Sequence, residues 1–303
     1  MNKKTKSIYI SIIGAPNAGK STLLNGIIGK DISIVNRKPQ TTRGKVRGIL
    51  SEDGTQLIFV DNPGILSPKT EMDKIIQKMS VNDHSDIVMV MHDCLKPIDE
   101  KLLLHLKQNH DESETLILAI NKIDKIKKEK LLKIIADFAS NVSFAKVFLI
   151  SALKKNGLND IKDYLKILAR RFGYPMAIYD ESLNTDADQD FLLAEMTRKY
   201  IFNYAHKEVP YFSFVQTEKI DEHENKTIIY QNIWTKKEHY KSIILGARGE
   251  TIAMIRKGAT YEMQKLLNKN VQLHLNVKVR ENLLSSHEGE ASIGYKVDRS
   301  TYK

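Results

Sequence analysis

The chain of 303 residues is longer than a typical single domain and suits two domains. Its single cysteine, Cys94, excludes a disulfide framework and a four-cysteine zinc site. The formal net charge of +10 at pH 7 points toward a polyanionic partner such as nucleic acid. The sequence has neither a signal peptide nor an apolar run of about 18 residues, so we expect a cytoplasmic protein without a membrane helix.

The first 172 residues alternate short apolar runs with amphipathic stretches, which predicts a mostly parallel α/β sheet covered by helices on both faces. The dipeptide Asp53-Gly54 separates the second and third apolar runs and predicts a hairpin, and therefore one antiparallel edge. The predicted strands are 8–13, 48–52, 56–60, 86–91, 115–120 and 146–150, and the predicted helices are 20–29, 71–82, 99–109, 128–140 and 158–172.

A different pattern follows an acidic stretch at 173–189, which contains no lysine or arginine and is interpreted as a linker. The region 190–303 predicts an α+β domain with a short tail. Its last strand shows strict alternation of apolar and polar residues from Val271 to Val279. The predicted helices are 190–207, 237–245 and 250–268, and the predicted strands are 211–219, 227–235 and 271–280.

The segment Gly14–Ser21 matches the phosphate-binding motif G-x-x-x-x-G-K-[ST] between a predicted strand and a predicted helix. Its glycines let the backbone curl so that N–H groups point at the phosphates. Lys20 is expected to reach the β- and γ-phosphates, and the Ser21 hydroxyl is expected to bind Mg²⁺. This motif alone does not distinguish ATP from GTP.

Three further segments end predicted strands, where ligands bind in open α/β sheets. Asp61–Gly64 has the form D-x-x-G and, taken alone, is better explained as a turn. Asn121–Asp124 has the form N-K-x-D, in which the carboxylate of Asp124 can accept both guanine N1–H and N2–H. Ser151-Ala152 offers a backbone N–H to guanine O6. Because all four motifs occur in order, the sequence predicts a guanine-nucleotide site that uses GTP or GDP.

The segment Gly246–Gly249 has the form G-x-x-G and separates two predicted helices of the second domain. Such a loop lets backbone approach single-stranded RNA closely, whereas a lone G-x-x-G more often ends a helix and begins a turn. The predicted RNA-binding residues are Gly246, Ala247, Arg248, Gly249, Arg256 and Lys257.

The chain resembles the Era-like bacterial GTPases in its P-loop, written G-x-P-N-x-G-K-S, in Lys38–Arg43 and in its G-x-x-G loop. The resemblance covers roughly residues 8–280. It implies a three-layer Ras-like P-loop GTPase domain (1–172), the linker (173–189) and a smaller α+β type II K-homology (KH) domain (190–303). The second pattern's order, α-β-β-α-α-β, is that of this KH type.

The resemblance also implies roles for individual residues. Thr42, with Thr41 as the alternative, contacts Mg²⁺ and the γ-phosphate, Gly64 senses the γ-phosphate, and Asn17 holds a potassium ion or else caps the loop. Thr42, Gly64 and Asn17 are the predicted catalytic group, and Ser21, Thr42 and Asp61 are the predicted Mg²⁺ group. The full predicted nucleotide set is Gly14, Asn17, Ala18, Gly19, Lys20, Ser21, Thr22, Thr41, Thr42, Asp61, Gly64, Asn121, Lys122, Asp124, Ser151 and Ala152.

The resemblance implies a GTP hydrolase that binds the 3′ end of small-subunit rRNA and acts in 30S subunit assembly, and we expect a monomer. Intrinsic turnover is expected to be slow, because Ile65 stands where other GTPases carry a catalytic glutamine. Asn62 replaces a threonine of the family's motif, which keeps an alternative open: an RNA-binding nucleotide sensor with negligible hydrolysis. Peripheral association with the inner face of the cell membrane is also left open. The basic residues Arg37, Lys38, Arg43, Lys45 and Arg47 are interpreted as a solvated face, with contact to rRNA as the alternative.

Overall fold

The structure is a computed structural model, and it describes residues 5–33, 46–61, 85–109, 115–206 and 208–281. The predicted helix at 71–82 and the tail beyond residue 281 lie outside these ranges. Among the described residues, one compact unit runs to Asp186 and a second begins at Ala187. No helix of this described part is both long and apolar enough to span a bilayer.

The first unit contains the alternating strands and helices that the sequence predicts. Strands β1 to β6 span Lys6–Gly14, Val46–Glu52, Thr55–Asp61, Ile87–Asp93, Thr115–Asn121 and Lys146–Leu149. Helices α1 to α4 span Lys20–Ile28, Glu100–Asn109, Lys128–Ala139 and Leu158–Phe172.

The strand order is β2-β3-β1-β4-β5-β6, and β2 pairs antiparallel with β3, which confirms the predicted hairpin. Ile8, Ile10 and Ile12 of β1 pack with α1 and α4 on one face. Strands β4 and β5 pack with α2 and α3 on the other face. The sheet is therefore covered on both sides, and the parallel strands β1, β3, β4 and β5 end at one common edge.

The predicted linker is hydrogen-bonded along the first unit as far as Asp186. Ser7 and Tyr174 exchange main-chain hydrogen bonds of 2.9 and 2.8 Å. The buried Gln56 side chain accepts from the N–H groups of Ile178 and Tyr179 and donates to the Tyr179 carbonyl, each at 2.9 Å. A buried amide such as that of Gln56 needs hydrogen-bond partners, which explains why this acidic sequence is fixed in place.

The same segment continues along the outer edge of β2, where Ile49 N–H donates to the Asn184 carbonyl at 2.8 Å. Arg47 then donates to Asp186 through its main-chain N–H at 3.2 Å and its guanidinium at 2.7 Å. The interpretation of Arg47 as part of a solvated face is therefore wrong, because the acidic segment folds back onto the edge strand. Of the predicted linker, only residues 187–189 lie beyond the first unit.

The second unit is a three-stranded sheet with helices packed on it, as predicted. Helices α5, α6 and α7 span Gln189–Tyr204, Glu238–Leu245 and Glu250–Leu267. Strands β7, β8 and β9 span Ser213–Glu222, Lys226–Thr235 and Asn270–Val279, in the order β7-β8-β9 with β9 parallel to β8. The apolar positions Val271, Leu273 and Val277 of β9 are buried against these helices, which confirms the predicted alternation.

Candidate nucleotide site and nucleic-acid interface

The P-loop joins β1 to α1 at the common edge of the parallel strands. Gly19 has a φ of 105°, and a Cβ there would collide with the Asn121 side chain, so only glycine suits this position. Gly19 offers no side chain to cap α1, and the N-terminus of a helix attracts an anion through its N–H groups and its dipole. The buried Lys20 ammonium donates to the carbonyls of Gly14 and Ala15 at 3.0 and 3.2 Å.

Asn121 links the P-loop to the segment that follows β6. Its Nδ2 donates to the Ala18 carbonyl at 2.7 Å, and its Oδ1 accepts from Ala152 N–H at 2.9 Å. The side chain is buried, so each of these hydrogen bonds replaces one to water. The structure thus brings three of the predicted segments together, although Asn121 and Ala18 are 103 positions apart in sequence.

Lys122 follows in a left-handed conformation with a φ of 66°. Its ammonium donates to the Asn17 carbonyl at 2.9 Å and to the Asp93 carboxylate at 2.5 Å. Sequence reasoning missed Asp93, which is the last residue of β4 and pairs in register with Asn121. The sequence signal for Asp93 is a carboxylate at the end of an apolar strand, the position that the four nucleotide motifs share.

Asp124, the carboxylate that the sequence predicts to read the base, lies beside the segment that follows β6. It accepts a hydrogen bond from the Ser151 hydroxyl at 2.8 Å, and Lys154 lies 3.3 Å away. The Ser151 hydrogen bond, with a further contribution from Lys154, lowers the pKa of Asp124 below its usual value against a smaller opposing effect of desolvation. The carboxylate is therefore ionised at neutral pH, as an acceptor of two guanine N–H groups must be.

The described residues fit a nucleotide with its Mg²⁺. Ser21 lies in the first turn of α1, and Asp61 is the last residue of β3, in register with Ile12 of β1, so two of the three predicted Mg²⁺ residues lie on elements that meet at the P-loop edge of the sheet. Hydroxyl and carboxylate oxygens are the ligands that Mg²⁺ prefers. The predicted residues Thr41, Thr42 and Gly64 lie outside the described residues.

The predicted G-x-x-G loop joins α6 and α7 as a single tight turn at Ala247–Gly249. Gly246 has a φ of 75°, and a Cβ there would lie 2.8 Å from Thr251 N, so the turn requires glycine. Ala247 and Arg248 are exposed at the tip, and α7 begins directly after Gly249 without a side-chain cap. This loop can approach a phosphate backbone closely, as the sequence predicts.

A cleft of about 600 Å³ lies between α7 and β9 of the second unit. The predicted residues Arg256 and Lys257 both line it, which places them with aromatic and amide side chains that the sequence did not single out. These include Tyr261, Gln264, Gln272 and His274. Cationic, aromatic and amide groups in one cleft suit the phosphates and base edges of single-stranded RNA.

Comparison with known proteins agrees with both units. Residues 9–122 match the family model described as 50S ribosome-binding GTPase, and residues 208–284 match the KH domain model. The chain is 38% identical to GTPase Era of Bradyrhizobium diazoefficiens over 281 residues, which cover 92% of this chain and 90% of that protein. It is 34% identical to GTPase Era of Dinoroseobacter shibae over 290 residues, 94% of this chain and 93% of the relative.

Solved structures show the same two-part architecture. A crystal structure of Era with MgGDPNP and nucleotides 1506–1542 of 16S ribosomal RNA is 30% identical and has a TM-score of 0.85, covering 97% of this chain and all of that one. A tyrosine-to-alanine variant of Aquifex aeolicus Era bound to GDP and AlF4⁻ is 29% identical with a TM-score of 0.86, again over 97% and 100%. With a P-loop, an N-K-x-D segment and a G-x-x-G loop all in place, the chain belongs to the Era family of GTPases.

Proposed function

We propose that this chain hydrolyses GTP and binds the 3′-terminal segment of small-subunit rRNA through its second unit, acting in assembly of the 30S subunit. The observation that carries the proposal is the joint presence of the N-K-x-D loop in the first unit and, in the second unit, of a G-x-x-G turn together with a basic cleft. We further propose that it works as a monomer in the cytoplasm. The resemblance to an Era structure that holds MgGDPNP and 16S rRNA nucleotides supports the choice of ligands.

The hydrolytic proposal competes with a protein that only senses nucleotide. In this proposal the N-terminus of α1 and the Lys20 ammonium order the phosphates, and electrostatic positioning of this kind supplies most of the catalysis of phosphoryl transfer. The relative from Aquifex aeolicus that holds GDP and AlF4⁻ favours hydrolysis over sensing.

A multiple-turnover assay of GTP hydrolysis, with binding of a labelled RNA that matches the 3′ end of 16S rRNA, tests this function. We expect slow phosphate release that continues past one turnover, and tight binding of that RNA compared with a scrambled RNA of equal length. Phosphate release that stops within one turnover would favour the sensor. Equal binding of both RNAs would remove the rRNA assignment.

We propose in addition that the nucleotide state alters RNA affinity, and Arg47 is well placed to take part. It lies in β2, which follows the sequence segment that resembles switch I, and it holds Asp186, the last residue of the first unit. The Arg47 and Asp186 side chains are 32% and 22% exposed, so the pair is partly shielded from water and salt. Allostery requires a differential interaction in the two states, which a pair at this position can provide.

Breaking this pair is expected to reduce the coupling. In Arg47→Met and Asp186→Asn we expect the ratio of RNA dissociation constants with GDP and with a non-hydrolysable GTP analogue to fall severalfold toward one. Lys162→Met is the matched control, because Lys162 pairs with Glu52 at the opposite end of β2. Fluorescence anisotropy of the labelled RNA measures the ratios. A wild-type ratio of one would contradict coupling altogether, and an unchanged ratio in both variants would remove Arg47 from it.

A further inference from the structure

Asp93 is a buried carboxylate beside the predicted nucleotide site, and only the fold reveals its partner, Lys122. Its side chain is 6% exposed, and both oxygens are engaged: Oδ1 accepts from Leu95 N–H at 3.0 Å, and Oδ2 accepts from the Lys122 ammonium at 2.5 Å. A carboxylate that is this well buried needs a cationic partner to carry its charge, because desolvation disfavours the ionised form. Lys122 is the partner that the structure provides.

Lys122 needs the hydrogen bond to Asp93 to hold its side chain in one position. That side chain is 28% exposed, and the backbone of Lys122 has the left-handed conformation, which few residues other than glycine adopt. A lysine in such a position loses several rotamers when it is fixed, at a cost in free energy. The hydrogen bonds to Asp93 and to the Asn17 carbonyl fix the ammonium from two sides.

The fixed ammonium in turn connects the base-reading loop to the P-loop. Asn17 also has a left-handed backbone, with a φ of 63°, and its carbonyl accepts from Lys122. Asp93 is therefore linked through Lys122 to the carbonyl of Asn17 in the P-loop. This is a second link between the two loops, beside the hydrogen bond from Asn121 to Ala18. Preorganisation of this kind lowers the cost of binding a ligand.

We propose that Asp93 is a positioning residue for guanine nucleotide: it holds the Lys122 side chain across the base-binding loop and thereby slows nucleotide dissociation. The inference rests on the proposed nucleotide site and adds a residue that reads neither the base nor the phosphates. It also separates two properties. Asp93 sets how long the nucleotide stays bound, whereas Asp124 sets which base is preferred.

The test is the dissociation rate of fluorescent GDP, measured by stopped-flow displacement with unlabelled GDP. We expect about tenfold faster dissociation in Asp93→Ala, a smaller increase in the isosteric Asp93→Asn, and an unchanged preference for GTP over xanthosine triphosphate. Asp99→Ala is the matched control. The Asp99 carboxylate likewise accepts main-chain N–H groups, those of Lys101 and Leu102, and its removal should leave the rate unchanged.

A double-mutant cycle with Lys122→Met distinguishes positioning from a general loss of stability. If Asp93 acts through Lys122, the double variant should release GDP no faster than Lys122→Met alone. Additive effects, or a wild-type rate in Asp93→Ala, would overturn the inference. If Asp93→Ala does not fold, Asp93→Asn carries the same decision. Failure of the wild type to bind GDP would instead overturn the proposed nucleotide site itself.

Discussion

Replacing Asp124 with asparagine is expected to reverse the base preference of the protein from guanine to xanthine. We expect the ionised carboxylate to accept N1–H and N2–H of guanine, whereas an amide offers one acceptor and one donor. The amide N–H of asparagine would face the N2–H group of guanine, and two donors cannot form a hydrogen bond. Xanthine carries a carbonyl at that position, which can accept a hydrogen bond from the amide. We expect GTP affinity to fall by about 100-fold or more, and xanthosine triphosphate to bind more tightly than GTP.

Competition against fluorescent GDP with GTP, ATP and xanthosine triphosphate measures this reversal. Asp137→Asn makes the same change at an exposed position on α3 and should leave the order of the nucleotides unchanged. In Asp124→Asn the Ser151 hydroxyl can still donate to the amide oxygen of the new side chain, so the loop should stay in place. Equal binding of ATP and GTP by the wild type would mean that Asp124 does not read the base.

Placing two carboxylates on the G-x-x-G turn is expected to abolish most RNA binding without unfolding the protein. Ala247 and Arg248 are exposed, so the double variant Ala247→Asp, Arg248→Asp removes no buried contact. It changes the turn from one positive charge to two negative charges, where a phosphate backbone has to approach. We expect the dissociation constant of the 16S-derived RNA to rise by about 100-fold at low salt.

A matched control separates local from global charge. The double variant Lys130→Ala, Lys133→Asp lowers the net charge of the protein by as much as the turn variant does, but on α3 of the first unit. This control should bind RNA nearly as well as the wild type, and both the turn variant and the control should retain wild-type affinity for GDP. If the two weaken RNA binding equally, net charge and not the G-x-x-G turn determines binding.

Contiguous motifs and regular periodicity could be predicted from the residues in order along the chain. The P-loop, the N-K-x-D segment and the G-x-x-G turn each form within a few residues, because glycines and short hydrogen-bonded turns specify local backbone. The alternation in β9 and the Asp53-Gly54 hairpin were predictable for the same reason. Since parallel strands end at one edge of a sheet, the predicted nucleotide residues were also expected to lie near one another.

Contacts between distant residues depend instead on how the elements pack. The pairing of Asp93 with Lys122 requires two neighbouring strands to end in register, and no local pattern encodes a partner 29 residues away. The polar and weakly periodic composition of the acidic segment predicts a linker, yet the buried Gln56 side chain fixes this segment through hydrogen bonds to its main chain. The cleft between α7 and β9 likewise arises only when the helix packs on the sheet. Local propensity selects the elements, and long-range packing and hydrogen bonding select the partners.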